Sequence, residues 1–191
     1  FSSFLLASLE ECLSIISRYF AFVNSFLSFY YNAFVNSKDG IVLCAVADNE
    51  VYGFAAATKQ CKGYNSNLIK TNFISFIWLA IKILFTRPSA LIRLAKNISK
   101  KSDVIDDPED YAELYSIGVA ENAQGKGIGK KLLATIEDKM KSEGVEKVSL
   151  TTDFYNNDSA IAFYRTMGYD TLYEFTSYPN RKMYRFIKTL K

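Results

Sequence analysis

Histidine is absent from the 191-residue chain. Without an imidazole there is no Ser-His-Asp triad, no histidine general base and no zinc site that counts histidine among its ligands. Cysteine is scarce. Cys12, Cys44 and Cys61 are odd in number and far apart, which suits reduced thiols in a cytoplasmic protein better than a disulfide framework. Long apolar runs are also missing: the most apolar stretch, 73–85, is broken by Lys82 and falls short of the roughly twenty residues that a membrane-spanning helix needs. The opening stretch carries Glu10 and Glu11 without a basic leader or a small-residue cleavage site, so it does not read as a signal peptide. With a net charge of +3 and no arginine-rich stretch interleaved with stacking aromatics, no nucleic acid is expected as a partner.

What is present can fill a core. Hydrophobic residues make up 49% of the chain, and the length is most simply read as one domain, 1–191. Apolar residues recur at helical spacing over 5–16 and 22–34, which predicts two helices with inward-facing aromatics. The runs 41–47 (IVLCAVA) and 51–58 (VYGFAAAT) read as strands of a hairpin turned at Asp48-Asn49-Glu50. Helices are expected over 67–85 and 89–99, with Pro88 stopping the first and suited to the opening turn of the second. A strand at 111–120, a helix at 127–142 ended by Gly144, a strand at 145–153 and a short helix at 159–167 follow. Two strands, 169–176 and 182–187, close the chain.

Acidic residues are missing from Val51 to Ser102, while Lys59, Lys62, Lys70, Lys82, Arg87, Arg93, Lys96, Lys100 and Lys101 are all basic. The opposite bias follows in Asp103, Asp106, Asp107, Glu109 and Asp110. One reading pairs the basic helices locally with that acidic loop or with a second copy in a homodimer. The other is a basic, apolar-faced surface for peripheral membrane contact or a lipid-linked substrate. The first is favoured here, because aromatic stripes at helical spacing are more often core than membrane anchors.

The most specific local pattern is the run from Ile117 to Leu133 (IGVAENAQGKGIGKKLL): a β-branched strand end, a polar turn, a glycine-spaced loop and an amphipathic helix. Glycines let the backbone bend and gather amide N–H groups around one bound group, and the positive end of the following helix favours an anion there. Lys126, Lys130 and Lys131 add positive charge. No hydroxyl residue follows Lys126 or Lys130, so a mononucleotide P-loop would lack its magnesium ligand, and Gly127 and Gly129 are too close for a dinucleotide fingerprint. The remaining pattern, Gln-x-x-Gly-x-Gly at Gln124, Gly127 and Gly129, resembles the acetyl-CoA pyrophosphate loop of the GCN5-related N-acetyltransferases, the GNAT superfamily. Downstream, Asn157-Asp158-Ser159-Ala160-Ile161-Ala162-Phe163-Tyr164-Arg165-Thr166-Met167-Gly168-Tyr169 is similar to that superfamily's second motif. There Asn157 suits a helix cap and Gly168 a left-handed helix end. The resemblance is close over about the last eighty residues and loose over the first hundred.

The resemblance implies an α/β (α+β) fold, a mixed twisted β-sheet flanked by helices, with a two-helix insertion at about 64–102 before the cofactor-binding strand. A first strand of that fold is expected upstream of Phe1. It also implies acetyl-CoA as cosubstrate, no metal, and direct transfer to a primary amine. A small-molecule acceptor such as an amino sugar comes first, and a protein lysine or N-terminus is the alternative. The pyrophosphate would lie on Gln124, Gly125, Lys126, Gly127, Ile128, Gly129 and Lys130. The backbone at Ile117 and Val119, splayed from the next strand, would hold pantetheine; an ordinary strand would use those groups in its ladder. Asn157 would hold the pantetheine arm or cap its helix.

Strand alternation is expected to put Glu113, Tyr115, Ile117 and Val119 on one face, aiming a carboxylate toward the acetyl end. By resemblance Glu113 removes the amine proton through water; the competing reading is a structural salt bridge. Tyr164 matches the tyrosine that protonates the leaving thiolate, and the competing reading is a tyrosine that packs the cofactor. Cys44 and Cys61 have no histidine partner, so a covalent acetyl-cysteine intermediate is not expected. A non-catalytic acyl-CoA-binding module is the remaining class, since fold resemblance alone does not exclude it.

Overall fold

A computed structural model of the chain describes residues 5–7, 33–34, 36–48, 50–75, 77–78, 81, 107–177 and 180–190. The helices expected at 22–34 and 89–99 lie largely or wholly outside these residues, as does Cys12. The described residues fall into two compact units. One is drawn from Phe1–Lys62, Asp110–Leu150 and Lys188–Lys191, the other from Gly63–Glu109 and Thr151–Ile187.

The first unit is built on a hairpin, β2 (Gly40–Ala47) and β3 (Glu50–Thr58). Its turn includes Asp48 at φ 51, the left-handed conformation that short hairpin loops require and that aspartate tolerates. A strand β1 (Leu5–Ala7) runs antiparallel along β2, with Leu5 opposite Val46 and Ala7 opposite Cys44. This corrects one expectation: residues 5–7 are not helical but form a strand. A short contiguous apolar run does not distinguish strand from helix by its period, and the unpaired edge of β2 decides the matter by offering hydrogen bonds.

On its other side β3 pairs antiparallel with β4 (Ala112–Val119), and β4 then pairs parallel with the start of β5 (Lys147–Asp153). Helix α2 (Ile128–Ser142) packs across β2, β3 and β4. It does so because Ile128, Leu132, Ile136 and Met140, four residues apart, form one buried stripe, with Leu133 beside it. Complete burial of Leu132, Leu133, Ile136 and Met140 contributes roughly 1.5–3 kcal/mol for each side chain. Gly53 on β3 permits this approach, because a Cβ there would lie 2.9 Å from the Gly118 carbonyl oxygen and 3.1 Å from Leu132. In the second half of α2, Glu137 is buried and pairs with Lys188 at 2.5 Å.

The second unit holds α1 (Tyr64–Thr71), α3 (Asp158–Thr166) and the antiparallel pair β6 (Asp170–Ser177) and β7 (Arg181–Thr189). Helix α1 begins three residues before the expected start at 67, on Gly63 in the left-handed conformation at φ 73. Hydrogen-bonded neighbours follow the order β1-β2-β3-β4-β5-β7-β6, and with β4 and β5 parallel the sheet is mixed, as the resemblance implied. Gly168, at φ 85, ends α3 in the left-handed conformation expected of it.

Candidate functional site

Ten of the twelve expected positions, Glu113 and the nine from Ile117 to Lys130, lie between β4 and the first turn of α2 in the first unit. The polar turn after β4 tightens into a short 3₁₀ helix, Glu121–Ala123. The Gln124 N–H donates to the Glu121 carbonyl at 3.3 Å, and the Lys126 ammonium donates to the Asn122 carbonyl at 2.9 Å. Gly125 and Gly127 both have positive φ, 74° and 79°. A Cβ at either would meet nothing within 4 Å. Glycine is therefore required by backbone conformation alone, and the side of the loop on which a Cβ would stand is open.

Gly127 caps α2 without a side-chain hydrogen bond, and the first helical bond is from the Lys131 N–H to the Gly127 carbonyl at 3.0 Å. The amides of Ile128, Gly129 and Lys130 thus have no carbonyl of their own helix to serve. The Ile128 side chain is buried against the sheet while the Lys130 side chain is exposed. Ile128 therefore offers this end its amide, and Lys130 offers both amide and charge.

The strand that feeds the loop has two features. Its parallel ladder with β5 contains Ala112↔Val148, Glu113↔Ser149 and Leu114↔Leu150, and Ile117 and Val119 lie beyond the last of these pairs. The Ala120 N–H donates to the Tyr52 carbonyl of β3 at 2.9 Å. Because successive peptide groups of a strand alternate in direction, the backbone groups of Ile117 and Val119 point away from β3.

The second feature is a bulge. Opposite β3 the pairing steps from Ala56↔Ser116 to Ala57↔Leu114, so Tyr115 is the extra residue. Alternation resets there. Glu113 shares its face with Ser116 and Gly118, and Leu114 shares the other with Ile117 and Val119. The expectation that Glu113, Tyr115, Ile117 and Val119 line one face is therefore incorrect, since alternation holds only where no residue is inserted. Glu113 is 9% exposed and accepts a hydrogen bond from the Cys61 thiol, Sγ to Oε2 at 3.1 Å. The Cys61 N–H is itself held by the Tyr111 carbonyl at 2.9 Å. The Tyr115 ring meets Phe34 edge-on with centroids 5.4 Å apart.

In the second unit, Asn157 occupies the N-cap position of α3 but makes no side-chain cap bond. Its Nδ2 donates instead to Thr152 Oγ1 at 2.6 Å and to the Asp153 carbonyl at 3.3 Å. The capping expectation is corrected accordingly: the amide ties the start of α3 to the end of β5. Tyr164 is buried among aromatic rings, with centroids 5.2 Å from Phe163, 5.9 Å from Tyr169 and 6.3 Å from Phe186. Burial pushes its hydroxyl above the ordinary tyrosine value of 10.0 and so holds it protonated.

Comparison with known proteins gives the family of the chain. The acetyltransferase (GNAT) family model matches residues 9–169. The chain belongs to that GNAT family. A 73-residue stretch is 34% identical to the mycothiol acetyltransferase of Renibacterium salmoninarum, covering 36% of this chain and 21% of that protein. The match therefore spans about a fifth of that relative's length. Among solved structures, the ribosomal-protein-S18-alanine N-acetyltransferase of Escherichia coli superposes with a TM-score of 0.57 at 16% identity, covering 99% of this chain and 95% of that one. An aminoglycoside 6′-N-acetyltransferase complexed with coenzyme A gives 0.56 at 14% identity, covering 96% and 91%. These structures share the GNAT fold with this chain.

Two residues of the GNAT chain gain relevance only from the structure. Cys61 reaches Glu113 across 52 positions of sequence, and Thr152 holds Asn157; no motif spacing marks either.

Proposed function

We propose that this protein transfers the acetyl group of acetyl-CoA directly to the primary amine of a small molecule, with amino sugars the first class to test. The observation that carries the reading is the open side of the Gly125–Gly127 turn, next to the amides of Ile128, Gly129 and Lys130. Such a helix end suits a diphosphate. Gln124 and Lys126 belong to the same cradle, and the outward-pointing backbone of Ile117 and Val119 suits the amides of the pantetheine arm. Asn157 is assigned to that arm as well. The whole is read as one catalytic domain with a helical insertion at about 64–102.

The reaction forms a C–N bond and breaks the thioester C–S bond. Glu113 is assigned to receive the proton lost by the attacking amine, through water. Tyr164 is assigned to supply the proton that the departing sulfur takes, leaving an amide and the free thiol of coenzyme A. A phenol kept neutral by burial suits that task. The small-molecule preference rests on the names of the mycothiol and aminoglycoside acetyltransferases above.

The bulge at Tyr115 favours a second reading, an acyl-CoA-binding module in which the Glu113–Cys61 contact is structural. Thiol release from acetyl-CoA, followed over amino sugars, other small amines, a lysine peptide and a peptide with a free N-terminus, separates the readings. Turnover with an amino sugar, lost in Glu113→Gln and Tyr164→Phe while acetyl-CoA still binds, is expected. Binding without turnover on any acceptor selects the module, and turnover confined to the peptides moves the acceptor to protein amines.

A further inference from the structure

Helix α1 ends at Thr71, and after the turn at Asn72 residues 73–75, 77–78 and 81 are helical again. In the first turns Tyr64 and Leu68 are buried while Asn65, Ser66, Asn67 and Lys70 face solvent, which is the ordinary amphipathic arrangement. The continuation reverses it. Phe73 is 58% exposed, Ile74 75% and Trp78 71%, with Ile69, Ile77 and Ile81 also exposed. These side chains are thus not a buried stripe. Phe73, Ile77 and Ile81 are four residues apart, as are Ile74 and Trp78, so they gather on one broad side of the helical stretch. A contiguous apolar surface of this kind marks an interaction site.

We propose that this side of the helix rests on an anionic lipid surface, with Phe73, Ile74 and Trp78 entering the boundary between headgroups and acyl chains. Charge identifies the occupant. The helix lies within Val51–Ser102, which contains nine lysines and arginines and no acidic residue. Of these, Lys59 pairs with Glu143 at 2.7 Å, while Lys62 and Lys70 are exposed. In the acidic stretch that follows, Asp110 pairs with Lys147 at 3.2 Å and Asp107 accepts the Tyr173 hydroxyl at 2.6 Å. Apolar and aromatic residues beside an excess of lysine and arginine form the composition of interfacial helices. A second copy fits less well, because a two-fold contact would press the same acid-free segment against itself. No helix among the described residues is long and apolar enough to cross a bilayer, so the contact is one of lying on the surface.

Trp78 is the only tryptophan of the chain, so its fluorescence reports on this patch alone. The whole protein is titrated with vesicles of phosphatidylcholine, with or without phosphatidylglycerol, at low and high salt. A blue shift and quenching by bromine-labelled acyl chains are expected with the anionic vesicles, weakened by salt. Phe73→Asp combined with Ile74→Asp should lower vesicle affinity by about tenfold or more with the melting temperature unchanged. Emission unmoved by either vesicle overturns the proposal. So does a concentration-dependent blue shift without lipid, accompanied by dimer sedimentation, which would give the patch to a second copy.

Discussion

The thiol of Cys61 donates a hydrogen bond to the buried carboxylate of Glu113 at 3.1 Å. A thiol is a weak donor, and this bond is one of the contacts that direct the carboxyl group. If Glu113 is the base, Cys61→Ala lowers kcat by about tenfold through misplacement. Cys61→Ser, which keeps a donor, recovers most of the loss. Equal kcat in wild type and the alanine variant, with only the melting temperature reduced, would limit the pair to a structural role.

Tyr164→Phe keeps the ring contacts with Tyr169 and Phe186 and removes only the hydroxyl. A fall in kcat of about 10²–10⁴-fold is expected for loss of a general acid, with acetyl-CoA affinity held. The raised pKa also sets the pH window. A hydroxyl whose folded value lies above the unfolded 10.0 contributes stability that is complete below pH 10 and lost as pH climbs through the folded value. A kcat profile should therefore show no alkaline limb from Tyr164 below about pH 10, and one near neutrality would remove the residue from the acid role.

Gly127→Ala tests conformation without crowding, since nothing lies within 4 Å of the added methyl and φ is 79°. The left-handed conformation costs a residue with a Cβ about 1–2 kcal/mol. Calorimetry should find acetyl-CoA bound roughly tenfold more weakly as the loop relaxes. Gly127→Asn, better tolerated there, should lose less. Gly53→Ala is the steric counterpart: the methyl meets the Gly118 carbonyl and α2, so the stability read from thermal melting should fall by about 1–3 kcal/mol.

Arg181 holds the Asp153 carboxyl below its usual range, chiefly through a bidentate hydrogen bond and then through charge. A lowered folded pKa contributes stability above the unfolded value of 3.8 that is lost as pH falls through the folded one. Both side chains are more than a third exposed, so solvent screening keeps the pair under about 1 kcal/mol. Urea denaturation should show Asp153→Asn slightly less stable than wild type at neutral pH, with the gap closing in acid.

The elements carrying the two motifs were legible because local signals agree along them. The glycine spacing, the four-residue stripe of α2 and Gly168 each dictate structure within a few residues, and the strands and helices from 112 to 189 fall within a few positions of expectation. What escaped depends on distant partners. Residues 5–7 look helical until the edge of β2 is there to pair with them. Asn157 looks like a cap until Thr152 is beside it. The contact between Cys61 and Glu113 exists only after β3 and β4 have paired. The inserted Tyr115 is invisible in sequence, because a bulge changes the count without changing the residue types.

That insertion gives β4 two parities. Before Tyr115, even-numbered side chains look toward α2; after it, odd-numbered ones do, and the change leaves no mark in composition or hydropathy. Gaining or losing a single residue between Leu114 and Ser116 would exchange the two sides of the strand relative to each other, so chain length here is itself a determinant, independent of which amino acids supply it.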